Sequence, residues 1–495
     1  MPEVHDNPHH ARRWLILGVI AIAQLMVVLD ATIVNIALPS AQDSLGFGDD
    51  ARQWVVTAYA LAFGSLLLLG GRIGDLIGRK RVFVIGLLGF AGASFLGGFA
   101  QSFGVLVGAR ALQGAFGALL APAALSLLTT TFTEPKERGT AFGIFGAVAV
   151  GGAAIGLLLG GILTEYLSWR WCLYVNLVIA IPAALAAIAL LRNVVPATRP
   201  KLDIPGTVTA SAGLFAIVYG FSNAQTHSWT AALTIGMLIA GVVLLAGFVA
   251  IQARSANPLL PLRVVLDRDR GGAFLAMILA GAGMFAVFLF LTFYLQQTLG
   301  LSPITTGLAF LPMTGTIIIA ATAGSTRLLP NIGPRPLIGG GMVIASAGLV
   351  TLTGVGTDTA YATHVLPGLL ILGAGMGLVF SSAIATATFG VEPKDAGVAS
   401  AMVNTMQQVG GSIGTALLST IAASATTSHL AGQVPSPALS AEAAVDGYQA
   451  AFWWAAAIFA IGAVLCTALL SSRRRAPAAA GAAPDPDTEL VLVPA

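Results

Sequence analysis

Residues 71–81 read Gly71-Arg-Ile-Gly-Asp-Leu-Ile-Gly-Arg-Lys-Arg81, between two stretches, 54–70 and 82–100, that hold no acidic or basic side chain. These eleven residues carry four cations (Arg72, Arg79, Lys80 and Arg81) and one anion, Asp75. The insert is too charged for hydrocarbon, and its flanks are too apolar for water. It therefore reads as the turn of a transmembrane hairpin, and its Lys/Arg excess places it on the cytoplasmic face.

The rest of the chain agrees. Of 495 residues, 56% are hydrophobic and 9% charged, where an ordinary soluble domain carries about 25% charge. With a mean hydropathy of +0.87, soluble globular classes are excluded and an all-α polytopic membrane protein is predicted. About 20 apolar residues cross the hydrocarbon core. Fourteen such spans can be read: 14–38, 54–71, 82–100, 103–131, 139–163, 169–191, 204–223, 229–252, 271–298, 304–326, 336–354, 364–389, 396–424 and 448–471. The first is too long for a signal-peptide core and reads as a retained helix. Cys172 and Cys466 both lie in apolar spans and imply no disulfide framework.

The basic residues test that count. With the N-terminus inside and loops assigned alternately, 21 of the 24 Lys and Arg fall on the cytoplasmic side. The exceptions are Arg52 and Arg170 at outer ends and Arg110 within the fourth span. A wrong number of spans would scramble this alternation, so both termini are expected in the cytoplasm. The net charge of +3 then reflects membrane orientation and points to no nucleic-acid partner.

The chain also repeats itself. Glu134-Pro-Lys-Glu-Arg-Gly-Thr-Ala141 matches Glu392-Pro-Lys-Asp-Ala-Gly-Val-Ala399 at an offset of 258. Val105-Leu106 with Gly108, Leu112 and Gly117 matches Val365-Leu366 with Gly368, Leu372 and Gly377 at an offset of 260, and Ile77-Gly78 matches Ile332-Gly333 at 255. These anchors pair spans 1–6 with spans 9–14 and leave spans 7 and 8 as an inserted hairpin. The expected organisation is an N-terminal arm (1–13), a six-helix bundle (14–192), a linker and hairpin (193–254), a second six-helix bundle (255–472) and a disordered tail (473–495). The repeats differ chemically. Arg110, Gln113 and Asp75 of the first half face Leu370, Gly373 and Pro330 of the second, so proton handling is expected in the first half alone.

Residues 71–80 follow the pattern GxxxD-x-x-GR-[RK] at a transmembrane hairpin, and in this the chain resembles the major facilitator superfamily. The 6+2+6 arrangement resembles its fourteen-helix drug:proton antiporter branch over roughly residues 12–472. Leu29-Asp-Ala-Thr-Ile-Val-Asn-Ile-Ala-Leu-Pro39 is similar to the branch's first-helix signature, Arg110-Ala-Leu-Gln-Gly114 to its RxxQG motif, and Ser168-Trp-Arg-Trp171 to a further signature. The glycines of span 5, among them Gly152, Gly156, Gly160 and Gly161, resemble the antiporter motif GxxxGPxxGG, with Leu157 where the proline usually stands. The resemblance implies two halves that alternately expose a midplane substrate site, and proton transfer through the RxxQG helix.

Asp30 is the one acid deep in any span and Arg110 the one deep cation. An intramembrane acid is costly unless paired or protonated. Asp30 therefore reads either as a structural hydrogen-bonding group or as a proton carrier, and the signature around it favours the second. Arg110 is expected at a similar depth, near enough to pair, with Gln113 on nearly the same face as a relay. Asp75, Arg79 and Lys80 read as a gating latch whose partner is the helix start at Asp395, where unpaired amides favour an anion. For the substrate cavity the candidates are Tyr59, Phe285, Phe288, Gln296, Asn404 and Gln408, the last two sharing a helix face. No second buried acid occurs in spans 9–14, which suits neutral, zwitterionic or singly cationic amphiphiles.

No metal cluster, phosphate loop or paired nucleophile is legible, so no enzyme activity and no cofactor is expected. The expected function is proton-coupled export of small amphipathic compounds, such as drugs or antibiotics, by a monomer in a bacterial inner membrane. The alternatives are a proton-coupled transporter of a defined metabolite and a lipid translocase without ion coupling.

Overall fold

The computed structural model describes residues 12–48, 51–132, 134–191, 203–255, 258–391, 396–434 and 436–471. The arm before Arg12, the linker 192–202, Asp395 and the tail from 472 lie outside the described residues, as does the side chain of Asp75. In hydrocarbon every backbone amide must be satisfied within its own segment, and among the described residues the chain is helical without strands. The helices are α1 (Arg13–Leu45), α2 (Gln53–Ile77), α3 (Arg79–Gly98), α4 (Phe103–Thr131), α5 (Pro135–Tyr166), α6 (Trp171–Leu190), α7 (Ile204–Thr226), α8 (Ala232–Arg254), α9 (Leu262–Val265), α10 (Arg268–Phe293), α11 (Pro303–Ala323), α12 (Leu329–Ile332), α13 (Pro334–Leu352), α14 (Leu366–Thr388), α15 (Ala396–Leu430) and α16 (Pro437–Leu469). Among the described residues, twelve helices are long and apolar enough to cross a membrane, while α2 and α5 carry shorter apolar stretches at Gln53–Leu67 and Gly151–Tyr166. The chain is a multi-pass membrane protein.

The helices outrun the hydropathy spans. α1 continues through Pro39 to Leu45, because an intramembrane proline gives up one backbone bond that neighbours can cover. α16 starts at Pro437, well before 448, with the Ser436 hydroxyl accepting from Leu439 N at 3.1 Å. The charged stretch 71–77 is not a loop but the last turns of α2, and the reversal into α3 takes place at Gly78 alone, with φ +99°. Gly333 makes the same reversal between α12 and α13 with φ +79°. A side chain is strained in that region of backbone space, so the matched glycines of the repeat are the two turn residues.

Packing repeats as well. The contacts of α1 with α5, α2 with α4, α3 with α4, α3 with α6 and α1 with α6 recur as α10 with α15, α11 with α14, α13 with α14, α13 with α16 and α10 with α16. Two seams join the groups, α2 against α15 and α5 against α11. Helix α7 lies on α2 and α15 at once, and α8 packs on α7. Arg268, at the start of α10, donates to the carbonyls of Ala468 and Leu469 at 2.7 and 2.5 Å, so α10 begins at the end of the molecule where α16 finishes. We call this the termini end. Away from it, Leu29 to Ala41 of α1, Val55, Val56, Leu106, Cys172 and Leu173 join one apolar core with α10–α16, whereas the termini-end halves of α1–α4 and α6 form a core of their own. The two groups are fused at the opposite end.

A buried charge pair as the candidate functional site

Gly114 makes the site possible. It faces the Tyr59 carbonyl so closely that a methyl group there would collide with it, and α4 therefore lies against α2 within reach of its backbone. One turn earlier on α4, Arg110 sends Nε to the Val55 carbonyl at 3.1 Å and lays its guanidinium 4.4 Å from the centre of the Tyr59 ring. Its Nη1 donates to Asp30 Oδ2 at 2.5 Å and to Gln113 Oε1 at 3.0 Å. Asp30 Oδ1 accepts from Gln113 Nε2 at 2.9 Å and from Asn176 Nδ2 at 2.7 Å. Ser94 Oγ accepts from both amides, at 2.7 and 3.2 Å. Asp30 and Arg110 are 0% and 2% exposed, and Gln113, Asn176 and Ser94 are equally buried.

Five helices thus converge on one carboxylate. The sixth, α5, holds the first of them in place: Gly152 faces Leu25, Gly156 faces Thr32 and Leu29, and Gly160 faces Ile33, all on α1. Gly161 looks the other way, onto Ile304 at the start of α11. Leu157 is fully buried, its carbonyl against Gly307 of α11, and α5 runs through it unbroken.

Asp30, Arg110, Gln113 and Tyr59 come together, Tyr59 as the lid of the guanidinium beside the charge pair. Sequence reading missed Asn176 and Ser94. Asn176 had a signal: it is the lone amide in the apolar α6, one turn beyond Cys172. The other cavity candidates sit in separate contacts. The Phe285 ring packs at Gly411 of α15, the Phe288 ring lies tilted 5.2 Å from Phe310 of α11, and Gln408 stands against Gly64 of α2, four residues from Asn404 on α15. Gln296 donates to the Ile36 carbonyl at 3.0 Å, in a widened helical turn ending α10. That bond belongs to a seal at the opposite end, where Arg52 also lies 4.1 Å from the Phe293 ring and 5.9 Å from Tyr448. At the termini end, Lys80 Nζ caps the Ile188 carbonyl of α6 at 2.7 Å, and Arg79 also opens α3. Arg13 pairs with Glu137 through two 2.8 Å bonds, and Arg72 donates to the Pro258 carbonyl at 2.9 Å. The remaining latch partners, Asp75 and Asp395, are outside what is described.

A set of helices whose packing recurs, with the Asp30–Arg110 pair buried in the first set, suits a transporter, and the comparisons with known proteins agree. The puromycin resistance protein of Streptomyces alboniger is 50% identical over 95% of this chain and 94% of its own length. The cephamycin export protein of Amycolatopsis lactamdurans is 41% identical over 82% and 84%. Among solved structures, a POT family transporter superposes with a TM-score of 0.67 at 14% identity, covering 92% of this chain and 97% of that one; likeness at that identity speaks for the fold alone. The sequence pattern of the Major Facilitator Superfamily matches residues 20–415. The chain belongs to the Major Facilitator Superfamily.

Proposed function

We propose that this transporter exports small amphipathic compounds, antibiotics among them, in exchange for protons across a bacterial cytoplasmic membrane. The buried Asp30 carboxylate carries the reading. Both of its oxygens are taken by donors, Oδ2 by Arg110 and Oδ1 by Gln113 and Asn176. A protonated carboxyl is itself a donor at one oxygen, so taking up a proton obliges at least one of those groups to turn away. Protonation is thereby tied to movement of α4 or α6 relative to α1. Arg110 also holds the Val55 carbonyl, which extends that movement to α2 and its seam with α15. Charge in Asp30 and rocking of the two groups become one event, as alternating access requires.

In this reading there are fourteen spans, two groups of six with α7 and α8 inserted, and the termini end is cytoplasmic. The Lys/Arg distribution supports the orientation, and the recurrent packing supports the division. The conformation is then closed on the outer side, where the groups share a core and Arg52 and Gln296 bridge them. Compounds would enter from the cytoplasmic side between the two groups of helices, past Phe285, Phe288, Asn404 and Gln408. The relatives' names support small-molecule export. They also name unlike compounds, puromycin at 50% identity and cephamycin at 41%, so the cavity wall, not the charge pair, would set the substrate. The protein would act as a monomer with Asp75, Arg79 and Lys80 as an inner latch.

The test is puromycin efflux from proteoliposomes with an imposed pH gradient. Asp30→Asn, which keeps the shape but carries no dissociable proton, should abolish gradient-driven efflux at unchanged protein content. Parent rates in that variant, or parent efflux indifferent to the gradient, would overturn proton coupling through Asp30.

A further inference from the structure

Directly outward of the buried pair lies a narrow void walled by Val34, Ala37, Val55, Leu106, Trp169 and Cys172. Its position is set by helix geometry. Val34 stands four residues beyond Asp30 on α1, Leu106 four before Arg110 on α4, and Cys172 four before Asn176 on α6. Residues four apart share a helix face one turn apart, so on three helices the wall of the void is the layer above the charge network. The fourth wall, Val55, lends its carbonyl to Arg110.

Two polar atoms on this axis are buried with no hydrogen-bond partner among the described residues. One is the indole N–H of Trp169, which lines the void; the other is Oδ1 of Asn176, whose amide nitrogen holds Asp30. A buried donor left unpaired is costly, and the void beside it has room for roughly one water at a time. Trp169 stands seven residues before Asn176, in the turn that leads into α6. Its neighbour Arg170 donates to the Ala100 carbonyl of the loop between α3 and α4 at 2.8 Å and covers the Trp169 ring at 4.4 Å.

We propose that this void is the proton inlet. Water held by the Trp169 N–H conducts protons from the outer face to Asp30 through the interior of α1, α2, α4 and α6. A hydronium at the outer face gives up its proton along that water, the Asp30 carboxylate becomes a carboxyl as Arg110 Nη1 withdraws, and only water is left behind. Drug and proton then use different routes, the drug between the two groups of helices and the proton inside the first. This rests on the reading of Asp30 as the coupling acid. It adds that Trp169 and Asn176 position the water that serves it.

Cys172 makes the void testable, because in a Cys466→Ser background it is the sole thiol of the chain. The probe is silver ion, small enough to follow water, given in chloride-free buffer to one face of sealed membrane vesicles. Silver displaces the thiol proton to form a silver thiolate, and after denaturation the protected fraction of Cys172 is read by alkylation and mass spectrometry. Protection from the outer face should be about tenfold faster than from the inner face, and Ala37→Leu, which fills the void, should slow it by a similar factor. Trp169→Phe, which keeps the ring and deletes the N–H, should lower the ratio of gradient-driven efflux to puromycin exchange by about tenfold, the scale of one lost hydrogen bond. No silver protection from outside, protection faster from inside, or an unchanged ratio in Trp169→Phe would overturn the inlet. If instead silver reaches Cys172 from outside but Asp30→Asn still pumps, the coupling acid is misassigned and the inlet, having no acid to serve, falls with it.

Discussion

At the residue scale, the site works because a guanidinium has more than one direction. Arg110 meets Asp30 and Gln113 through Nη1, the Val55 carbonyl through Nε, and the Tyr59 ring with its face. An ammonium can replace one of these contacts but not the fork and the flat face together. Arg110→Lys should therefore lower gradient-driven efflux about tenfold or more, the loss of at least one charge-assisted hydrogen bond. Lys80→Arg, at a solvent-side carbonyl of α6 that any cation can cap, should keep parent activity in the same proteoliposome assay. Equal activity of the two variants would make Arg110 a generic cation. The pairing of Asp30 with Arg110 was legible from sequence, since two lone opposite charges in apolar spans have few other partners. Ser94 was not, and Asn176 was marked only as the lone amide of its helix, because an uncharged polar residue in a membrane helix can satisfy itself on its own backbone, as Thr32 does on Leu29. That Tyr59, expected in the cavity wall, lies over the Arg110 guanidinium was not legible for a related reason: an aromatic ring in a span carries no sign of which face it turns.

At the scale of elements, the helices are placed by what is missing from them. Gly156 brings α5 onto α1 beside Asp30. A methyl group there would strike the Thr32 hydroxyl and come within 2.9 Å of the Leu29 carbonyl; the hydroxyl could rotate, but the carbonyl is fixed by the helix. Gly156→Ala should thus push α1 away next to Asp30, at a cost of about 1–3 kcal/mol for overpacking, lowering both the thermal midpoint in detergent and the efflux rate. Gly151, with open space where its methyl would go, is the control, and Gly151→Ala should change neither. A Gly156→Ala protein as stable and active as its parent would mean that α1 and α5 are free to separate. Sequence periodicity can mark a glycine stripe as a packing face, but it cannot name the neighbour. The same stripe turns Gly161 onto α11, and only the fold shows that one helix serves both the charge site and the seam. Helix ends escaped for a plainer reason. Hydropathy reports where lipid stops, whereas α2 and α16 keep their backbone bonds beyond that point, until Gly78 or a capping serine intervenes.

At the scale of the molecule, the two groups meet α7 on both sides of their seam. α7 rests on α2 and on α15, with Ser211 donating to the Ser65 carbonyl at 3.0 Å and the Tyr219 ring tilted against Trp54 at 6.0 Å. α8 touches little beyond α7. A helix that touches both groups would serve, if they rock, either as a bearing over which they slide or as a strap that couples them. The repeat argues for the bearing, because every contact class within α1–α6 has its counterpart within α10–α16 without any part for α7 or α8. The ends of the hairpin also lie together: Gln252, near the end of α8, donates to Asp203, the cap of α7, at 2.7 Å. Excising Asp203 to Arg254 therefore leaves ends that a short flexible linker can join, and removing two spans preserves the orientation of all that follows. The segment after the cut keeps its own anchor on the first group through Arg72 and the Pro258 carbonyl. The shortened protein should insert, melt at a lower temperature for want of the α7 contacts, and export puromycin at a rate per folded molecule within about tenfold of the parent, a change under about 1.4 kcal/mol in the limiting barrier. Efflux from proteoliposomes, normalised to the folded fraction, decides it. A folded but inactive product would make α7 a strap, and the transport unit would then include α7 and α8 besides the helices whose packing recurs.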